Sequence, residues 1–156
     1  MSHLQFMREA IRLSSRQMQR GQGGPFGAVV VCDGKVVGRG WNRVTSVNDP
    51  TAHAEIVAIR QACRRLKTFR LDRCVLYTSC EPCPMCLSAI YWARIRKVYY
   101  ANTRRDAARI GFDDAFLYRE VARPVGRRKL AMRQCLRQEA LEAFRQWESK
   151  PDKTPY

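Results

Sequence analysis

Histidine is almost absent from this 156-residue chain, which has only His3 and His53. His3 falls at the frayed start of a predicted helix, in a tag-like or solvent-facing place, so any imidazole chemistry rests on His53. No apolar run approaches the ~20 residues of a bilayer span, which excludes a membrane partner and predicts a soluble protein. The N-terminus lacks the apolar core of a signal peptide. The seven cysteines are odd in number and lack the regular spacing of a secreted disulfide framework, which predicts a reducing, cytoplasmic setting. Acidic residues are scarce too, 14 against 29 lysines and arginines, giving a net charge of +15 and a pI near 10.2. Such a balance favours polyanions, and nucleic acid is therefore a possible partner. The basic residues are dispersed, however, from Arg60 to Arg73, from Arg94 to Arg109 and from Arg123 to Lys129, with no long tail. A solvated basic surface is the favoured reading over nucleic-acid binding. No repeat, low-complexity tract or second domain is visible, and residues 1–156 read as one domain.

What is present is concentrated between Ala52 and Cys86. His53 and Glu55 form a His-x-Glu, and Pro82, Cys83 and Cys86 form a Pro-Cys-x-x-Cys thirty residues later. One imidazole and two thiolates make three ligands of a tetrahedral zinc, one ion per chain, with the fourth place left for a catalytic water. The combination resembles the signature of zinc nucleobase deaminases, in which the glutamate shuttles protons and is not a ligand. A helix starting near Pro84 puts Cys83 and Cys86 on one side of its first turn, where the helix N-terminus stabilises thiolates. His53, after Asp49, Pro50 and Thr51, marks a second helix start. Glu55 converges with His53 only if that first turn itself faces the site.

Along the chain, Leu4, Met7, Ile11 and Met18 predict a packing helix over 3–20 behind a Ser2 cap. Residues 26–32 and 35–42 read as a hairpin about Asp33-Gly34. Cys32, beside that turn, has no partner at metal spacing and reads as a packed or exposed thiol. A polar loop over 43–50 precedes a helix from near Ala52 to Leu66, with Ile56, Ile59 and Cys63 on one face. Residues 74–79 predict a buried strand, 84–93 a helix and 97–101 a strand, a succession that favours parallel pairing. A polar connection over 102–112, a short helix over 113–121, a strand over 130–136 and a helix over 139–147 complete the reading.

Each half of the motif has a plainer alternative. Cys-x-x-Cys alone fits a redox pair, the three ligands fit a structural zinc, and Glu55 fits a helix-start carboxylate. Cys80 reads as packing, because a third thiolate would close the site. Glu81 reads as support for the cysteine loop. Phe26, Trp92 and Phe112 stand between core packing and base stacking. Asn42 either caps a turn or reads a base edge.

On further motifs the chain resembles the cytidine deaminase-like superfamily, and is similar to its guanine deaminase branch over nearly its full length. The motifs are Gly23-Gly24-Pro25-Phe26-Gly27-Ala28, Asn48-Asp49-Pro50-Thr51-Ala52-His53-Ala54-Glu55 and Thr78-Ser79-Cys80-Glu81-Pro82-Cys83-Pro84-Met85-Cys86. Tyr91-Trp92-Ala93-Arg94, Gly111-Phe112-Asp113-Asp114 and the terminal Tyr156 follow, the last two pointing to the guanine branch. The resemblance implies a three-layer α/β/α sandwich with a mixed five-stranded sheet, and a homodimer that exchanges C-terminal segments. It implies Glu55 and Asp114 as catalytic groups, and Phe26, Asn42, Ala54, Trp92 and the partner copy's terminal tyrosine against a small purine base. The activity it implies is hydrolytic deamination of guanine. The alternatives are a tRNA adenosine deaminase, favoured by the charge and by Gly40-Trp41-Asn42-Arg43, and a zinc-stabilised interaction module without catalysis.

Overall fold

The structure, a computed structural model, describes residues 2–156. In chain order its elements are α1 (His3–Gln19), β1 (Gly27–Cys32), β2 (Lys35–Trp41), α2 (Val44–Val47), α3 (Ala54–Leu66) and β3 (Cys74–Cys80). After these come α4 (Pro84–Trp92), β4 (Lys97–Asn102), α5 (Arg104–Arg109), α6 (Ala115–Ala122), a 3-10 turn at Val125–Arg127 and α7 (Arg137–Ser149).

The predicted hairpin forms: β1 pairs antiparallel with β2, and Asp33 and Gly34 turn the chain with φ of 47° and 74°. Positive φ at both central positions is the turn whose twist matches the flanking strands, and Gly34 adopts it without steric cost. β1 also pairs antiparallel with β3, and β3 runs parallel to β4, so the sheet order is β2-β1-β3-β4. The parallel pair is joined through α4, the crossover that parallel neighbours require.

Alternation along the strands assigns the two faces. Val29, Val31, Val36 and Tyr77 pack with Phe6 and Ala10 of α1. Ala28, Val30, Val37 and Leu76 pack on the other side with Ala54, Ala58, Ile59 and Ala62 of α3 and Ile90 of α4. Helices therefore cover both faces of an α/β sheet. The seam between α3 and β2 is unusually close. A Cβ on Gly38 or Gly40 would run into the backbone of Ala58 or Ala54, and Ala54, Ala58 and Ala62 are themselves fully buried. Small residues on both sides let the start of α3 sit directly on the end of β2.

Three expectations change. Among the described residues the sheet has four strands, not five, because residues 130–136 form no strand and are exposed. A strand without a pairing partner leaves its backbone groups unpaired and is not stable alone. The polar connection contains α5, capped by Thr103: its Oγ1 accepts from the Asp106 N–H (3.3 Å), while Asp106 Oδ2 accepts from the Thr103 N–H (2.9 Å). The loop over 43–50 contains the one-turn α2.

The chain divides into two compact units, Met1–Asp114 and Ala115–Tyr156. Within the second, Glu120 binds both Arg123 (2.6 Å) and the Lys129 N–H (2.7 Å), and Glu142 pairs with Arg145 (2.8 Å). No residue of this second unit is buried. No helix among the described residues is long and apolar enough to cross a membrane.

Candidate active site

Both halves of the motif arrive at helix N-termini. His53 immediately precedes α3 and Cys83 immediately precedes α4, each in extended conformation with φ of −69° and −67°. Pro84 opens α4, where its missing N–H has no intrahelical partner to lose. Glu55 and Cys86 occupy the first turns of their helices, so the two first turns face each other.

The sulfurs of Cys83 and Cys86 each lie 3.5 Å from His53 Nδ1. The three ligand atoms are mutually within 4.8 Å. Zinc bonds of about 2.3 Å to sulfur and about 2.0 Å to nitrogen, at tetrahedral angles, put such atoms about 3.6 Å apart. The donor set therefore fits zinc as it stands, with Nδ1 as the presented ring nitrogen.

Glu55 is buried, with Oε1 accepting from Thr78 Oγ1 (3.0 Å) and Oε2 from the Cys86 thiol (3.4 Å). Burial pushes its carboxyl above the usual carboxylate range, which suits a group that must hold and release a proton. Without metal, the Cys86 thiol beside Cys83, helped by His53, holds Cys83 down to about 4. Cys83 in turn raises both Cys86 and His53 above their ordinary values. Both protons must leave before the ligands can bind an ion. Zinc uptake near pH 7 should therefore release about one to two protons per ion and tighten as pH rises. Calorimetry in buffers of different ionisation heat measures this number; zero released protons would contradict the site.

Other predicted residues distribute unevenly. Asn42 is buried at the end of β2, where its Oδ1 accepts from the N–H groups of Gly24 and Val44 (both 3.2 Å). The neighbouring Arg43 N–H donates to Ala52 O (2.9 Å), one residue before His53, so Asn42 adjoins the histidine loop. Phe26 meets Phe112 edge to face at 4.9 Å. Asp114 is ion-paired with Arg104 (3.4 Å); burial raises its carboxyl, the arginine opposes this, and the Cys83 charge reaches it. Glu81 supports the cysteine loop: its Oε2 accepts from the Arg104 N–H (3.0 Å) and its own N–H donates to Asn102 O (2.8 Å). Ala54 packs its methyl into the core while its backbone opens α3. Cys80 is buried and stays outside the ligand cluster, its sulfur 3.7 Å from Thr103 O.

Trp92 is not brought to the ligands. Trp92 ends α4, about 13 Å of helix beyond Cys83, and is 63% exposed. Tyr156 closes the second unit. His3 is exposed and outside the ligand cluster, as expected, although its ring nitrogen bonds the Tyr77 hydroxyl and its ring lies 5.0 Å from Tyr99. Sequence reasoning assigned nothing to Thr78, which holds Glu55; its one signal is a polar residue sharing the core-facing side of β3 with Leu76.

Residues 1–102 match the cytidine and deoxycytidylate deaminase zinc-binding region. The guanine deaminase of Bacillus subtilis (strain 168) is 49% identical over 156 residues, all of both chains. The X-ray structure of guanine deaminase from Bacillus subtilis superposes with a TM-score of 0.97, covering 100% of this chain and 99% of that one. A tRNA-specific adenosine deaminase of Aquifex aeolicus (strain VF5) is 43% identical over 96 residues, covering 62% of this chain and 63% of its own.

Proposed function

Because the chain belongs to the cytidine and deoxycytidylate deaminase zinc-binding family, we propose that it deaminates guanine by hydrolysis, giving xanthine and ammonia. The carrying observation is the full-length similarity to a guanine deaminase, which continues through residues 103–156, whereas the similarity to the Aquifex tRNA deaminase spans 62% of the chain.

His53, Cys83 and Cys86 would hold the zinc, which would supply the Lewis acidity that lowers the pKa of a water. Glu55, steadied by Thr78, takes a proton from the attacking water and returns protons to the ring nitrogen and to the departing amine at C2. Asp114, held by Arg104, is an acceptor for the base's N–H edge. Phe26 walls the base, and Ala54 offers backbone rather than side chain. Asn42 presents its amide NH2, since its oxygen is occupied by Gly24 and Val44. Asn42→Asp keeps that oxygen and replaces the donor by an acceptor, so kcat/KM for guanine should fall about ten- to a hundredfold with zinc unchanged. Steady-state kinetics with metal analysis checks this, and an unchanged kcat/KM would exclude Asn42 from base recognition.

We further propose one deaminase domain over 1–156 acting as a homodimer with exchanged C-terminal segments, in the cytoplasm. The unit Ala115–Tyr156 buries none of its own residues, and Leu130, Leu136 and Phe144 are 72%, 67% and 73% exposed. Such apolar surface favours a partner. Tyr156 would then reach the site of the other copy.

The net charge of +15 favours one second reading, tRNA adenosine deamination. An ammonia-release panel over guanine, guanosine, adenine, cytosine, cytidine and tRNA, run at low and high salt, separates the two. Guanine turnover with little salt dependence is expected; release from tRNA alone, falling steeply with salt, would replace the guanine reading.

A further inference from the structure

Three cysteines that the metal site does not use converge at the other end of the sheet. Side-chain alternation puts Cys32 on the face of Ala28 and Val30, and Cys74 on the face of Leu76, which is the same face. The strand register sets Cys32 directly opposite Cys74 at the end of the β1–β3 ladder. Cys74 is 3% exposed, Cys32 is half-buried beside the hairpin turn, and Cys63 of α3 packs on the same cluster. The Cys74 N–H donates to Leu71 O (2.9 Å) and not across the ladder. In antiparallel pairs that do not exchange hydrogen bonds, opposed Cα atoms stand about 4.5 Å apart, inside the disulfide span of about 4.4–6.8 Å. The strand from Cys74 to Cys80 puts about 20 Å between this pair and the zinc-site loop.

We infer that Cys32 and Cys74 are a dithiol modification site that reacts with a peroxide and closes to a cross-strand disulfide. The Cys32 thiolate, the accessible one, attacks one oxygen of hydrogen peroxide. The O–O bond breaks, the sulfur is oxidised to a sulfenic acid, and the second oxygen leaves as water with the proton from the thiol. Cys74 sulfur then attacks Cys32 sulfur, the S–O bond breaks, and the hydroxyl leaves with the Cys74 proton as a second water. Two thiols and one peroxide become one disulfide and two waters. Burial, reinforced by Cys32, pushes the Cys74 thiol up to about 12, so Cys32 is the thiol that meets the peroxide first. The bond would close the segment that carries α3, and with it His53 and Glu55. None of this depends on which base the enzyme deaminates.

The test treats zinc-loaded protein with stoichiometric hydrogen peroxide and maps tryptic peptides without reduction, since cleavage after Lys35 and Arg73 separates the two cysteines. A Cys32–Cys74 cross-linked peptide should dominate, persist in Cys63→Ser, disappear in Cys32→Ser, and revert with dithiothreitol while zinc content stays constant. In Cys74→Ser, Cys32 should accumulate as a sulfenic acid trapped by dimedone. Over-oxidation of Cys32 with Cys74 left as a thiol in the unmodified sequence, a link from Cys32 to Cys63, or loss of zinc before any Cys32–Cys74 link would each overturn the site.

Discussion

Replacing Glu55 by glutamine should leave zinc bound and lower kcat for guanine about a hundred- to ten-thousandfold, the usual contribution of a general acid–base group. The amide is nearly isosteric, and its carbonyl still accepts from Thr78 Oγ1, so the first turn of α3 and the His53 ligand keep their places. It cannot accept and return a proton. The carboxylates nearest in sequence to the ligand loops have other partners, Glu81 bonded to the Arg104 N–H and Asp114 paired with Arg104 itself. The check is elemental analysis together with steady-state kinetics. A variant with full zinc and most of its kcat would assign proton transfer to another group.

Deleting residues 152–156 should leave zinc content unchanged and sharply reduce guanine turnover, although these residues are exposed and distant in sequence from every ligand. The loss follows from the exchanged-segment reading, in which Tyr156 completes the partner copy's pocket. A merely dispensable tail would give full activity. Complementation separates loss of the tail from damage to its own subunit. Glu55→Gln supplies an intact tail with a dead proton shuttle, and the deletion supplies an intact shuttle without a tail. When the two inactive proteins are mixed after partial unfolding, each mixed dimer gains one site with both parts, so activity should return. Heterodimers without activity, or a fully active deletion, would end the exchanged-segment reading.

The metal ligands are legible in the sequence because their spacings belong to helix first turns: Cys83 and Cys86 lie one turn apart, Pro84 starts the helix, and His53 precedes a second one. The hairpin is legible for a similar local reason, Asp33-Gly34. What escapes depends on distance through space. Thr78 looks like an ordinary strand residue until Glu55 is brought against it. Trp92 adjoins the cysteine motif in sequence, but nine residues of helix carry it away from the ligands. α5 has no apolar periodicity, and only its Thr103–Asp106 cap announces it. Residues 130–136 carry Leu130, Met132 and Leu136 at even spacing but no strict alternation, and they form no strand.

The most direct measurement of the central claim is mass spectrometry of the product formed from guanine by the zinc-loaded enzyme in oxygen-18-enriched water. Hydrolytic deamination at C2 predicts xanthine carrying one solvent oxygen at that carbon, with one ammonia released per xanthine. Absence of xanthine, or xanthine without solvent oxygen, would contradict it.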